Sequence, residues 1–180
     1  MELLKQLYGI SSKSGMEERM KSFVLDCVSD VELSVETDEI GNLFITKGEA
    51  ELYPCIAAHL DEIHSPCERT VIIEGNRIFT VDRLWNHVGC GADDKNGLWV
   101  IINLLHSEPI LKVALFVQEE RVGDNAGCRG ARACNLSFFN DVKFVLECDR
   151  KGSSDVVSIG KDELVLCHQD FMPQGILRRY

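Results

Sequence analysis

The chain has 180 residues, 45% of them hydrophobic and 27% charged, the make-up of one globular domain with room for a sizeable core. A formal net charge of −10 argues against a surface built for nucleic acid or anionic membrane, since both want a basic face. No apolar run approaches the roughly 18 residues of a membrane span, no basic-then-apolar leader opens the chain, and eight scattered cysteines without a CxxC pair read as reduced thiols, so a cytoplasmic protein is expected.

Taken in order, Leu3, Leu4 and Leu7 predict a short amphipathic helix over residues 1–8. Residues 11–15, Ser-Ser-Lys-Ser-Gly, form a break that supplies an N-cap for a helix over 16–28, with Met20, Phe23, Val24 and Cys27 on one face. Alternation predicts strands at 32–35 and 43–46 around a turn at 38–42. A buried strand follows at Tyr53–His59, then a hairpin of 69–74 with Arg77–Val81 about Gly75-Asn76. Residues 98–105 read as a buried helix, 111–118 as a central strand, 127–134 as a short helix and 142–146 as another buried strand. A last strand is expected at 156–159 and a helix from 161 to 167, ended by the 173–175 break. Strands alternating with helices predict an α/β sheet covered by helices on both faces.

Four acid-rich stretches stand out: His59-Leu60-Asp61, Asp93-Asp94, Glu119-Glu120 and Glu147-Cys148-Asp149. Three follow predicted strands, and the fourth opens a helix between glycines in Gly91-Ala92-Asp93-Asp94-Lys95-Asn96-Gly97. Strand ends of an open α/β sheet converge on one crevice, where so many carboxylates repel one another unless cations lie between them. His59 and Asp61 alternate onto one side, a histidine beside a carboxylate that can set its tautomer. Alone, the pair also reads as a solvated strand end. Asp93-Asp94 offers a bridging carboxylate or, equally simply, a helix-capping pair. At Glu119-Glu120 one glutamate can bind a metal while its neighbour takes a proton from water, the alternative being solvated turn acids.

In this order the four stretches resemble the co-catalytic zinc exopeptidase superfamily, within it the peptidase T-like tripeptidases and related aminopeptidases. The match rests on His59-Leu60-Asp61, on the GADDKxG stretch, on Gln118-Glu119-Glu120 with Gly123 and Gly127 following, and on Asp149. The resemblance implies a three-layer α/β/α mixed sheet and one peptidase-like catalytic domain over residues 1–180. It also implies two zinc ions, with Mn or Co as plausible substitutes. His59 and Asp149 would bind the first ion, Asp93 would bridge, Glu120 would bind the second, Asp61 would orient His59, and Glu119 would be the general base. The Asp93–Asp94 peptide would be cis.

Two departures accompany the resemblance. The family's fifth ligand is a histidine near the C-terminus, beyond further strands that this chain lacks; His168 reads as structural or surface. The second metal site is therefore expected to be weak. The interval between Asp61 and Asp93 leaves room for a hairpin and no lid domain. Trp85, Asn86 and His87 line the cleft or pack as a loop. Arg129 and Arg132 read as a solvated face, Cys90 and Cys148 as inert thiols. The expected function is metal-dependent hydrolysis of short peptides by a self-associating protein. The alternatives are an impaired peptidase-like domain used as a binding module or left as a gene remnant, and a mononuclear metal-binding protein of unrelated function.

Overall fold

The structure, a computed structural model, describes residues 1–121, 123 and 126–149. In chain order the elements are helices α1 (Glu2–Gly9) and α2 (Glu18–Cys27), and strands β1 (Ser34–Thr37), β2 (Leu43–Lys47), β3 (Tyr53–His59), β4 (Thr70–Glu74), β5 (Arg77–Val81) and β6 (His87–Val88). Helix α3 (Ala92–Ser107), strand β7 (Leu111–Phe116), helix α4 (Arg129–Ala133), a 3-10 turn (Leu136–Phe139) and strand β8 (Val142–Glu147) complete the described part.

Five strands form a mixed sheet in the order β1-β2-β7-β3-β8. The β1/β2 and β2/β7 pairs are antiparallel, whereas β3 runs parallel to both β7 and β8. Strand periodicity divides the side chains into two layers. Leu43 and Ile45, Ile56, Ala58 and Leu60, and Leu111, Val113, Leu115 and Val117 pack on Leu7, Met20, Val24, Leu98, Ile101 and Leu105 of the three long helices. The opposite layer is thinner: Phe44, Cys55, Ala57 and Ala114 meet Cys134, Phe138 and Phe139. The separate sheet β4-β5-β6 occupies the interval expected to hold a hairpin and adds one short strand to it.

Parallel pairing of β3, β7 and β8 brings their C-terminal ends to one side of the sheet. His59, the segment leaving β7 and residues 147–149 therefore emerge together. The mixed α/β architecture matches the expectation, with three corrections. Strand β8 is not buried: it lies at the sheet edge with one described neighbour, leaving Val145 and Leu146 38% and 44% exposed. The 11–15 break gives α2 no side-chain cap, because Glu17 holds the N-cap position and turns its carboxylate back to the Gly15 N–H. Strand β1 lies two residues later than predicted, its four side chains all exposed and so carrying no burial pattern. Strand β6 and the 3-10 turn are too short to show a period in sequence. The elements expected at 156–159 and 161–167, the break at 173–175 and His168 lie outside the described residues. No helix among the described residues is long and apolar enough to cross a membrane.

Candidate metal centre

His59 closes β3 and is 1% exposed. Its Nδ1 faces the Asp61 carbonyl at 3.0 Å, with the Asp61 carboxylate at 3.5 Å. A carbonyl can only accept, so Nδ1 carries a proton and Nε2 is the atom left to bind a cation. Around Nε2 stand Asp93 Oδ1 at 2.9 Å and carboxylate oxygens of Glu119 and Asp149, each at 3.9 Å. Burial lowers the His59 pKa, but the hydrogen bonds to Asp61 and Asp93 and the acidic surroundings outweigh it and raise the pKa to about 10. The field at Nε2 is that of a cation-binding pocket.

Asp93 and Asp94 share one dipeptide and do different things. Their peptide bond is cis, and both have non-helical backbone angles at the start of α3. Asp94 turns inward: Oδ1 accepts from the Gly97 N–H at 3.0 Å, an i→i+3 capping bond, and a side chain at Gly97 would overlap the carboxylate. Its Oδ2 is buried without a hydrogen-bond partner, and burial raises the Asp94 pKa to about 7. Asp93 turns outward, 68% exposed, to reach His59.

The Glu119-Glu120 pair leaves β7 through four backbone N–H groups, each received by a buried side-chain oxygen rather than by a strand. Asn42 Oδ1 accepts from Val117 at 3.0 Å and Glu17 Oε1 from Gln118 at 3.1 Å. Asp61 Oδ1 and Oδ2 accept from Glu119 and Glu120 at 2.9 and 3.0 Å. The carbonyls of residues 117–119 accept in turn from Gly130, Arg129 and Cys128. Gln118 takes a positive φ of 52° inside this clamp, which turns the chain out of the sheet. Asp61 thus serves His59 and the glutamate turn together. Burial raises its pKa, but hydrogen bonds from His59, Glu119, Ser14 and Glu120 prevail and lower it.

Asp149 and Glu120 complete the cluster. Burial, then nearby acids, raises the Asp149 pKa to about 6 and that of Glu120 to about 7, the mark of crowded carboxylates. Two sets place one ligand atom each within 4.8 Å of one another: His59, Glu119 and Asp149, and His59, Asp93 and Glu120. An imidazole nitrogen with several carboxylates is a donor set suited to zinc, manganese or cobalt. Both sets draw on the same Nε2, which can ligate one ion only. The described residues therefore offer one histidine-anchored site, open on its carboxylate side.

The other described histidines are occupied elsewhere. His64 lies against Gly89, His87 stacks near Phe79 at 5.1 Å, and His106 Nε2 meets the Cys27 carbonyl at 3.0 Å. Trp85 is 74% exposed on a tip organised by Asp82, which accepts from the Leu84 and Asn86 N–H groups. Arg129 bonds Gln118 Oε1 on the surface. Cys90 and Cys148 are among seven described cysteines, all free. Cys128, which carried no signal in sequence, places its thiol 3.3 Å from Glu119 Oε1. Glu17, Asn42, Glu62 and Arg69 were equally silent, because what each holds is set by chain neighbours far away in sequence or by a loop with no regular period.

No family model matches the chain, and no curated protein does. Solved structures do. A tripeptidase from Staphylococcus aureus superimposes with a TM-score of 0.68 at 20% identity, over 84% of this chain and 43% of that one. Aminopeptidase PepT from Bacillus cereus gives 0.70 at 19%, over 87% and 44%. Aminoacylhistidine dipeptidase from Vibrio alginolyticus gives 0.69 at 19%, over 86% and 33%. The chain spans less than half the length of each of these proteins. Across most of its own length, it has the fold of these peptidases.

Proposed function

We propose that this chain is the catalytic domain of a metal-dependent exopeptidase acting on short peptides. The observation that carries the reading is the meeting of Asp93, Glu119 and Asp149, from three separate segments, within 3.9 Å of one buried histidine nitrogen. His59, Asp93, Glu120 and Asp149 would hold zinc, with Mn or Co as substitutes. A bound ion would supply Lewis acidity for a peptide carbonyl. Glu119, 26% exposed beside His59, takes the proton of the attacking water and returns it to the leaving amine. Asp61 keeps Nε2 of His59 free for ligation and holds the Glu119 backbone in place. The open, acidic rim suits the protonated amine of a short peptide. A cytoplasmic, self-associating protein fits the same reading, and light scattering of the purified chain tests the self-association.

The test is zinc content per chain after dialysis against excess zinc, paired with tripeptide hydrolysis by the parent and by Glu119→Ala. Zinc in both proteins with hydrolysis by the parent alone is the expected result. A parent that holds no zinc sinks the reading. One observation favours a second reading: the shared His59 Nε2 anchors one ion at a time among the described residues. A parent with one tightly held ion and no hydrolysis would be a metal-binding module on a peptidase scaffold.

A further inference from the structure

Beside the Asp93 loop lies a second cluster, which shares no residue with the proposed ligands. Glu62, Arg69 and Lys95 meet there with side chains 0–2% exposed. Glu62 Oε1 accepts from Arg69 at 2.6 Å, and Oε2 from Lys95 at 2.8 Å. Both cations also donate to the Ile10 carbonyl, at 2.6 and 2.7 Å. Each cation also gives one side-chain donor to the loop that enters the metal centre, while Arg69 Nε is buried without a partner. Arg69 bonds the Gly89 carbonyl, Lys95 Nζ bonds the Cys90 carbonyl at 3.0 Å, and the Lys95 N–H reaches the Gly91 carbonyl at 3.4 Å. The cluster's side chains thereby hold two successive carbonyls, and the Gly91 carbonyl takes a backbone bond of the α3 start. Gly91 has a φ of 64°, and a side chain there would overlap Glu62 Oε2, so the loop rests directly on the cluster.

Asp93 follows two residues later. Its side chain is 68% exposed, so packing around the carboxylate does little to aim it at His59. Apart from its bonds to His59 and Asp149, the aim is set by the backbone. We propose that the Glu62–Arg69–Lys95 cluster positions Asp93 through the 89–91 loop, making Lys95 and Arg69 positioning residues of the metal centre. The inference rests on the metal-site reading above. Charge balance selects the variants. The cluster holds two cations and one carboxylate, so removing Lys95 leaves a balanced Glu62–Arg69 pair, whereas removing Glu62 leaves two buried cations opposed.

The experiment measures zinc affinity of the full chain by competition with a chromophoric chelator, and the visible spectrum of bound Co²⁺. Lys95→Met is expected to weaken zinc about 10- to 100-fold and to alter the cobalt spectrum, as losses of residues that orient ligands do. Lys112→Met removes another largely buried lysine, bonded to the Phe138 carbonyl and Asp141 on the other sheet face, and should leave zinc affinity unchanged. Should Lys95→Met fail to fold, Arg69→Met, which leaves Glu62 paired with Lys95, carries the same expectation. Asp93→Ala reports on the metal site itself. If Asp93→Ala loses zinc while the folded Lys95 or Arg69 variant stays within twofold of the parent, the positioning role is overturned and the metal site stands. If the parent binds zinc no better than Asp93→Ala, both are overturned.

Discussion

The two loops that carry the candidate site are held by opposite chemistry. At the exit of β7, buried oxygens of Asn42, Glu17 and Asp61 capture four successive N–H groups. At the entry to α3, buried nitrogens of Arg69 and Lys95 capture the carbonyls of Gly89 and Cys90. Each loop has left its strand ladder, and its buried backbone groups need partners that secondary structure no longer supplies. The acceptors at the first loop come from three separate segments, so losing one leaves the others. The donors at the second share a single carboxylate, Glu62. Redundancy protects the glutamates; the Asp93 loop depends on one residue.

That contrast can be broken most severely at Glu62. Glu62→Gln leaves Arg69 and Lys95 buried without their anion and should destabilise the chain by about 3–5 kcal/mol, measured by urea unfolding. A loss below that of the other variants would remove the claim that one residue carries the loop. The same residue sets an acid limit. Burial raises the Glu62 pKa, but Arg69 and Lys95 outweigh it and hold the pKa below its ordinary 4.5. A depressed folded pKa contributes stability that is fully present above 4.5 and is lost as pH falls through the folded value. The parent should lose stability along that limb, and the slope should flatten in Glu62→Gln.

Asp61→Asn is the next largest. It keeps one acceptor oxygen and turns an amide toward the other N–H, which should cost about 1–3 kcal/mol and weaken zinc binding. A melt and a zinc titration that both match the parent would show that Asp61 is dispensable to the turn. Gly91→Ala probes the contact between loop and cluster. An L side chain at its left-handed φ, pushed against Glu62, should cost about 1–2 kcal/mol, read as a lowered melting temperature. The smallest effect belongs to Glu17→Gln, whose amide oxygen still accepts from Gly15 and Gln118. A change below about 1 kcal/mol is expected, and a larger one would mean that the negative charge of Glu17, rather than its shape, organises the turn.

Much of the frame was legible before folding. Strand β3 falls where its apolar run places it, and the β4–β5 hairpin where Gly75-Asn76 turns the chain, because both signals are local in sequence. His59, Asp93, Glu119, Glu120 and Asp149 could be nominated because acids at strand ends are conspicuous in a sequence whose strands are apolar. Strand β8 was misjudged for the same reason: Val145 and Leu146 look like core, and only the strand order shows that they lie at the edge of the described sheet. The DD stretch was ambiguous between capping and bridging until the backbone turned Asp94 onto Gly97 and left Asp93 facing His59.

The local pattern of this chain by itself determined an α/β scaffold and the residue types that gather at one end of it, since both follow from apolar periodicity and from where charges interrupt it. What holds those residues in register was decided by the tertiary structure. Glu17 reaches Gln118, Asn42 reaches Val117 and Lys95 reaches Ile10 across 101, 75 and 85 residues of sequence. A buried glutamate or lysine carries no sign of its partner in its own neighbourhood. The partner is chosen only when folding removes water from both and each must replace the hydrogen bonds it made to water.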